Sequence, residues 1–167
     1  MALTEAQRTT LAADIRANTD QDVIDALAIR NDTELTRLYN LDSTFYCYKS
    51  RITVADIGME FDYAEVANLT SANQERLQTF RSYNQDEVNA SRTDIHAFFA
   101  DVFSGAAGAN TRVKLGDDPV GTAWSRFVTV AEEVFASGTG TQAAPGTLGW
   151  EGTLTTNDVG RALSDNP

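Results

Sequence analysis

Residues 118–136, DPVGTAWSRFVTVAEEVFA, contain the longest run of apolar residues at helical spacing in the chain. This spacing predicts a long helix with one broad apolar face. Asp118 followed by Pro119 suits its start, because Asp can accept a hydrogen bond from a free N–H and Pro lacks an N–H that would go unpaired there. Gly138, after Ser137, suits its end. The predicted apolar face comprises Val120, Ala123, Trp124, Phe127, Ala131, Val134 and Phe135.

A second long helix is predicted to open at Ser91 with Asp94. Its apolar residues follow the i, i+3, i+4, i+7, i+8 pattern of one helical face. We expect this face and that of residues 118–136 to bury each other, since burying one Phe side chain contributes about 1.5–3 kcal/mol. The residues of the second face are Ile95, Phe98, Phe99, Val102 and Phe103.

Shorter elements fill the rest of the first 137 residues. Three short helices are predicted in the first forty residues, the first with Thr4 and Gln7 at capping-box spacing. Further helical pieces are expected at 53–58, 61–67 and 70–83, and a short extended segment at 43–52. A mobile loop is expected at 105–110, followed at 111–116 by an ordinary surface loop or, as the alternative, a segment that becomes ordered only on contact with a neighbour. The expected inward residues are Leu11, Ile15, Val23, Ala26, Leu27, Leu35, Leu38, Tyr39, Ala72, Leu77 and Phe80.

The composition changes after Ser137. Gly and Pro interrupt any helix between 138 and 146, whereas Leu148, Trp150 and Leu154 alternate with polar or small residues as a half-buried strand does. A short helix with Val159 facing inward is expected to follow. A lone strand must find a partner edge, either within its own chain or on a neighbour. Leu148, Trp150, Leu154 and Val159 are therefore our candidate intersubunit contacts.

The predicted fold is mainly α. It consists of a compact helical bundle at residues 1–137 and a C-terminal extended arm at residues 138–167, made of a short strand or hairpin plus a short helix. Its 167 residues suffice for one domain with a real core.

Charge excludes several classes of function. The net charge is −11, and it is spread evenly along the sequence, with −6 in residues 1–70 and −5 in residues 71–167. An acidic protein of this kind repels DNA and anionic membranes, so we expect no sequence-specific nucleic-acid binding. No apolar run approaches the ~20 residues that span a bilayer, and no signal peptide is visible, which predicts synthesis in the cytoplasm and no membrane partner.

The residue types that carry catalysis are scarce. His96 and Cys47 are the only residues of their kinds, so they cannot supply a zinc tetrad. The carboxylate pairs lack the spacing of a calcium loop, and neither a nucleophile elbow nor a phosphate-binding loop occurs. We therefore predict no catalytic, cofactor-binding or metal-binding residues, no cofactor, and a protein that is not an enzyme.

Two stretches carry a resemblance to a known family. Residues 138–159, GTGTQAAPGTLGWEGTLTTNDV, are similar to a GTGT-x-x-x-P-x-x-x-x-x-EG segment followed by a short helix at the C-terminal end of a group of small tailed-phage proteins. The N-terminal portion, residues 3–40, which runs from LTEAQR to IRNDTELTRLYN, is similar to the same group. The middle of the chain departs from it.

The resemblance is to head-to-tail connector proteins, also called adaptor or neck proteins. It implies a virion structural protein of the neck region, assembled as a homo-oligomeric ring, commonly of twelve copies, through which DNA passes. Its implied partners are the portal protein and the tail or neck proteins. Tail completion and head decoration are alternative phage roles, and a small acidic regulatory or binding module is an alternative of another class.

Overall fold

A computed structural model describes residues 2–84, 86–117 and 124–166. It confirms the mainly-α class. The helices are α1 (Glu5–Ala17), α2 (Gln21–Ala28), α3 (Asp32–Tyr39), α4 (Val54–Met59), α5 (Tyr63–Ala67), α6 (Ser71–Tyr83), α7 (Thr93–Val102), α8 (Ala109–Arg112), α9 (Val130–Val134) and α10 (Thr156–Asp165). The strands are β1 (Asp42–Tyr48), β2 (Ile52–Thr53), β3 (Glu87–Val88), β4 (Ser125–Thr129), β5 (Ala136–Ser137) and β6 (Thr147–Leu148).

The strands form two-stranded pairs, β1 with β4, β2 with β3, and β5 with β6. The chain divides into two compact units, each built from separate stretches of sequence. Unit 1 comprises residues 1–45, 127–138 and 148–167, and unit 2 comprises residues 46–126 and 139–147. This division differs from the predicted boundary between residues 137 and 138, since unit 1 takes residues from both sides of it.

Unit 1 is a helical assembly in which α10 packs on α1 and α3. Its helices begin where the sequence places caps. Thr4 and Gln7 form a capping box at α1, Asp20 caps α2, and Asn31 caps α3. The three predicted N-terminal helices are thus confirmed. The core of this unit includes Leu11, Ile15, Val23, Leu35, Tyr39, Ala131, Trp150, Leu154, Val159 and Leu163.

Unit 2 is built around the aromatic face of α7. Phe99 contacts Phe61, Phe80 and Trp124, with ring centroids 5.8, 5.0 and 5.7 Å apart. Strands β2 and β3 are antiparallel, pairing Ile52 with Val88 and Thr53 with Glu87. The aromatic side chains each bury a large apolar area, and they share the unit's core with aliphatic residues such as Ile52, Leu77 and Val88.

The predicted long helix at residues 118–136 is wrong where the structure describes it. Its predicted start and the apolar residues Val120 and Ala123 lie outside the described residues. Beyond them, β4 occupies Ser125–Thr129, and only Val130–Val134 is helical. The physical reason is a second capping box, in which Thr129 and Glu132 start α9 in the middle of the predicted helix. Gly138 has a φ of 103°, yet it follows β5 rather than a helix.

The predicted burial of two aromatic helices against each other is therefore also wrong. Among the described residues of the predicted face, Trp124 is the one that joins the α7 cluster. Phe127 is 51% exposed, and Ala131, Val134 and Phe135 belong to unit 1. The apolar residues are present at helical spacing, but a strand followed by a short helix does not place them on one common face.

Three smaller predictions also need correction. Residues 105–116 are not a loop, because Ala106–Gly108 forms a 3-10 turn, α8 follows, and Val113–Asp117 forms a π turn. Ser91 does not cap α7, since its side chain and backbone both donate to the Asn89 side chain. Ala72 is exposed rather than inward.

Candidate interaction surface

Three of the four candidate intersubunit residues lie in the core of unit 1. Trp150, Leu154 and Val159 are buried, and Leu148, in β6, is half-buried. The Trp150 ring contacts Phe135 edge-to-face, with centroids 5.6 Å apart. An intersubunit role for these residues stays a prediction, and for the three buried ones it would require the segment to leave the core.

The backbone around Leu154 finds its hydrogen-bond partners on a side chain. The Leu154 N–H donates to Asn40 Oδ1 at 2.9 Å, and the Asn40 Nδ2 donates to the Leu154 carbonyl at 3.0 Å. One amide side chain thus supplies both the acceptor and the donor that a neighbouring strand would offer. The sequence predicts that this segment needs a hydrogen-bonding partner. At Leu154 that partner is the Asn40 side chain of the same chain.

His96 and Cys47 both lie among structural contacts in unit 2. The His96 Nε2 lies 2.6 Å from the Ala90 carbonyl oxygen, and because a carbonyl only accepts, this nitrogen carries the proton. The imidazole also contacts the rings of Tyr48 and Trp124, with centroids 5.2 and 4.9 Å apart. Cys47 is a buried free thiol. His96 is thus held by a hydrogen bond and ring contacts, and Cys47 is enclosed in the interior of the unit.

Glu65 in unit 2 is a buried carboxylate that binds backbone. It accepts from the Asn110 and Thr111 N–H groups, at 2.9 and 2.8 Å. Burial raises the pKa of Glu65, but these hydrogen bonds and one from the Thr111 hydroxyl outweigh it and leave the pKa below 4.5. The carboxylate therefore acts as a clamp that holds α8 against α5.

Glu132 plays a similar part in unit 1. It is buried and accepts from the Thr129 N–H at 3.0 Å and from the Gly152 N–H at 3.2 Å. The first bond completes the cap of α9, and the second ties in the segment that leads to Leu154. These bonds give Glu132, like Glu65, a role in backbone structure.

Two further features concern metals and membranes. Over the described ranges, no group of three or more His, Cys, Asp or Glu side chains is placed to hold a metal ion. Among the helices that the structure describes, none combines the length and the apolar character needed to cross a bilayer.

The most unusual surface feature of unit 2 is a set of exposed large apolar side chains. Met59 is 74% exposed, Tyr63 is 71% exposed and Tyr83 is 85% exposed. Met59 and Tyr63 line one groove with Val54 and Arg81. Such residues cost little when exposed singly, but several beside grooves are typical of protein-binding surfaces.

A second groove, of about 510 Å³, runs along α6. We call it the α6 groove; its lining residues are Ala72, Glu75, Arg76, Thr79, Phe80, Tyr83, Asn84 and Phe98. Its floor is formed by the stacked rings of Phe80 and Phe98, with centroids 5.1 Å apart. The guanidinium of Arg76 lies 5.4 Å from the Phe98 centroid and pairs with Asp101 at 2.7 Å. The groove therefore has an apolar floor, and at one edge the charge of Arg76 is neutralised by Asp101.

Sequence reasoning did not find this surface. Tyr83 follows Phe80 by three residues on α6 but lies about 120° around the helix from Leu77, at the edge of the inward face. The helix ends at Tyr83, however, and no described element covers its ring. Whether an apolar helical position is buried depends on what packs over it, and the local pattern holds no signal for that.

Comparisons with protein-family models, with curated proteins and with solved structures found no match to this chain.

Proposed function

We propose that this protein is a virion structural subunit, a head-to-tail connector that assembles as a ring between the portal and the tail of a phage. The main support for the proposal is the position in the fold of the stretches that resemble the connector group. Of these stretches, residues 3–40, 138 and 148–159 belong to unit 1. Residues 139–147, which contain most of the GTGT-x-x-x-P motif, belong to unit 2. In unit 1, α10 packs on α1 and α3. The N-terminal stretch and the end of the C-terminal stretch thus lie in one folded unit, although they are distant in sequence.

The distribution of charge between the units supports the same role. Unit 1 contains thirteen acidic and five basic residues, a formal charge of −8, whereas unit 2 contains eleven and eight, a formal charge of −3. A strongly acidic surface repels the DNA backbone. A ring that presents unit 1 to its lumen would let DNA pass without binding it.

The exposed apolar residues of unit 2 provide the contact surface that an assembled subunit needs. Aromatic and Met side chains are enriched in the cores of protein interfaces, where burying one contributes about 1.5–3 kcal/mol. In the proposed ring, Tyr83 and the α6 groove contact the next copy of the chain. The polar residues at the groove's edge, Glu75 and Arg76, form its rim.

Locating the protein in the particle tests the proposal. Immunogold labelling of purified phage with antibodies against the folded chain should mark one site, between head and tail. Particles lacking the protein should have DNA-filled heads without tails. Label over the whole capsid would instead indicate head decoration, label on the tail would indicate tail completion, and absence from particles would refute a structural role.

A pair of variants tests the contact surface. Tyr83→Asp should lower the yield of tailed particles about tenfold or more, because an exposed aromatic anchor is replaced by a charge. Ser82→Asp adds the same charge at the neighbouring exposed position of α6 and should leave the yield near that of the unmodified protein. Equal yields from the two variants would exclude the α6 groove from assembly.

The charge asymmetry also favours one alternative, a small acidic module that binds a host factor in place of DNA. Counted along the sequence the charge is even, but counted by folded unit it concentrates in unit 1. Such a module would act in the infected cell and be missing from purified particles. The localisation experiment therefore separates the two functions.

A further inference from the structure

Unit 2 carries a groove of about 380 Å³ beside α4. We call it the α4 groove. Its lining residues are Val54, Ala55, Gly58, Met59, Tyr63 and Arg81. Tyr63 comes from α5, Arg81 from α6, and the other four from α4. Met59 and Tyr63 give the groove an apolar wall that is largely exposed.

The guanidinium of Arg81 is the charged group of this groove. It lies 5.7 Å from the centroid of the Phe61 ring, which is buried. A Cβ at Gly58 would lie 3.6 Å from Arg81 Nη2, so the guanidinium also lies close to the backbone of α4. The ring and the helix together keep the cation in the groove.

Arg81 forms no ion pair with any residue that the structure describes. Six other arginines do pair with an Asp or Glu side chain, and they are Arg8, Arg30, Arg37, Arg51, Arg76 and Arg92. Acidic residues outnumber basic ones in the chain by 24 to 13, yet no described one pairs with this guanidinium. Its charge is therefore available to a carboxylate of another molecule.

The α4 groove suits a ligand that combines an apolar side chain with a carboxylate. Met and aromatic side chains are enriched at the centre of protein interfaces, and Arg binds a carboxylate through two parallel hydrogen bonds. A simple anion would make no use of Met59 and Tyr63. A purely apolar segment would remove water from Arg81 without giving it a partner.

Helix α2 in unit 1 has this combination on its exposed surface. Ile24 is 42% exposed, and its neighbour Asp25 is exposed too. Asp20, the N-cap of α2, lies one turn before Ile24, and the helix contains no basic residue. Asp25 Oδ1 accepts a hydrogen bond from the neutral Gln21 side chain at 2.7 Å, and no described cation forms an ion pair with Asp25. Helix α2 thus presents a carboxylate without a cationic partner beside an apolar side chain.

We propose that α2 of a second copy of this chain docks in the α4 groove. Ile24 of one copy contacts Met59 and Tyr63 of the other, and Asp25 pairs with Arg81. The two surfaces have complementary charge, although the chain as a whole is acidic.

This contact joins two different surfaces, so each copy can offer its groove to one neighbour and its α2 to another. A head-to-tail contact of this kind generates a ring when its rotation closes. The inference rests on the proposed ring for its biological setting, because it names the two surfaces that adjacent copies join. Arg81 and Tyr83 both lie in the last turn of α6, so the α4 groove and the α6 groove share the end of that helix.

The test uses the purified chain and the methyl signal of Met59. Protein labelled with ¹³C at its methionine methyl groups is mixed with unlabelled protein up to about 1 mM, a concentration at which weak contacts form. The Met59 signal should shift saturably. Arg81→Glu in the labelled chain, or Asp25→Arg in the unlabelled chain, should weaken the contact about tenfold or more, because each places like charges opposite each other. Arg161→Glu makes the same change in charge at an exposed position of α10 and should behave as the unmodified protein does.

A crossed mixture localises the contact. Labelled Asp25→Arg keeps the natural groove, and unlabelled Arg81→Glu keeps the natural α2, so mixing them should restore the Met59 shift of the unmodified protein. That recovery would also show that both variants are folded. Labelled Asp25→Arg mixed with unlabelled Asp25→Arg should not shift. General repulsion between acidic chains predicts the opposite, since this substitution lowers the negative charge.

Three results would overturn the proposal. They are a Met59 signal that does not shift, an Arg81→Glu chain that shifts as Arg161→Glu does, and an Asp25→Arg chain that associates with itself as well as the crossed mixture does. The last would assign another surface or another partner to the groove. No phage particles are used, so failure of this contact is distinguished from failure of the connector role, which the localisation experiment tests.

Discussion

Substituting Leu163 by Ala measures how firmly α10 is built into unit 1. Leu163 is 1% exposed and lies in the core with the buried residues of α1 and α3. Truncation removes three carbon atoms and leaves a cavity between helices that cannot close fully. We expect the free energy of unfolding to fall by about 3 kcal/mol. For a chain of this size, that lowers Tm by about 6–12 °C.

The assay is thermal and urea unfolding followed by far-UV circular dichroism, with amide hydrogen exchange at Leu11 and Ile15 in α1. Arg161→Ala is the control, because Arg161 is exposed on the same helix and the same residue replaces it. It should change the free energy of unfolding by no more than about 0.5 kcal/mol. Leu163→Ala should also speed exchange in α1, since that helix packs directly on α10.

Equal stability of the two variants would refute this reasoning. It would mean that residues 138–167 behave as the detachable arm expected from their Gly-rich sequence. Removing that segment would then leave α1 to α3 folded. In the structure its removal would uncover their apolar faces instead.

Two further predictions concern backbone contacts. In Gly149→Ala the new Cβ would lie 2.4 Å from the Phe135 carbonyl oxygen, so unfolding in urea should show a loss of roughly 1–3 kcal/mol. Gly58→Ala is its control, since the nearest atom is Arg81 Nη2 at 3.6 Å and Ala favours the helix, and it should be neutral or stabilising. The second prediction concerns Glu65, whose lowered pKa means that its contribution to stability is complete above pH 4.5 and is lost as the pH falls through the lower folded-state value. When the pH is lowered, the urea midpoint should therefore drop less for Glu65→Gln than for the unmodified protein or for Glu75→Gln. Identical drops in all three proteins would contradict the proposed role of Glu65 in holding α8 against α5.

Much of the helical structure could be predicted because helix starts are local. Thr4 and Gln7 have capping-box spacing and do cap α1, and Asp20, Asn31 and Thr70 cap α2, α3 and α6. A cap is formed by residues within one turn of each other, so a short window of sequence contains all of its chemistry. The same holds for the start of α10, where Thr155 and Asp158 form a capping box.

The failure at residues 118–136 also has a local cause. Thr129-Val-Ala-Glu132 has the spacing of a capping box, which marks a new helix start inside the predicted one. The predicted helix rested on apolar periodicity and on the residues at its two ends, Asp118-Pro119 and Gly138. Periodicity indicates which residues share a face only if the element is continuous, and a cap in the middle removes that condition.

Other features could not be predicted because their partners are far apart in sequence. The Asn40 side chain that pairs with the backbone of Leu154 is 114 residues away from it. Met59 and Arg81 line one groove although they belong to α4 and α6. Nothing near either residue in the sequence indicates the other, so the candidate surfaces could be recognised only once the chain was folded.

The interleaving of the two units has a consequence for synthesis. Helices α1 and α3 emerge from the ribosome before α10, the helix at residues 156–165 that packs on both of them. Until residues 156–165 have been made, the nascent chain therefore exposes the apolar faces of α1 and α3 that α10 buries. Chaperones that hold such surfaces should bind ribosome-attached chains ending near residue 150 more tightly than the finished protein.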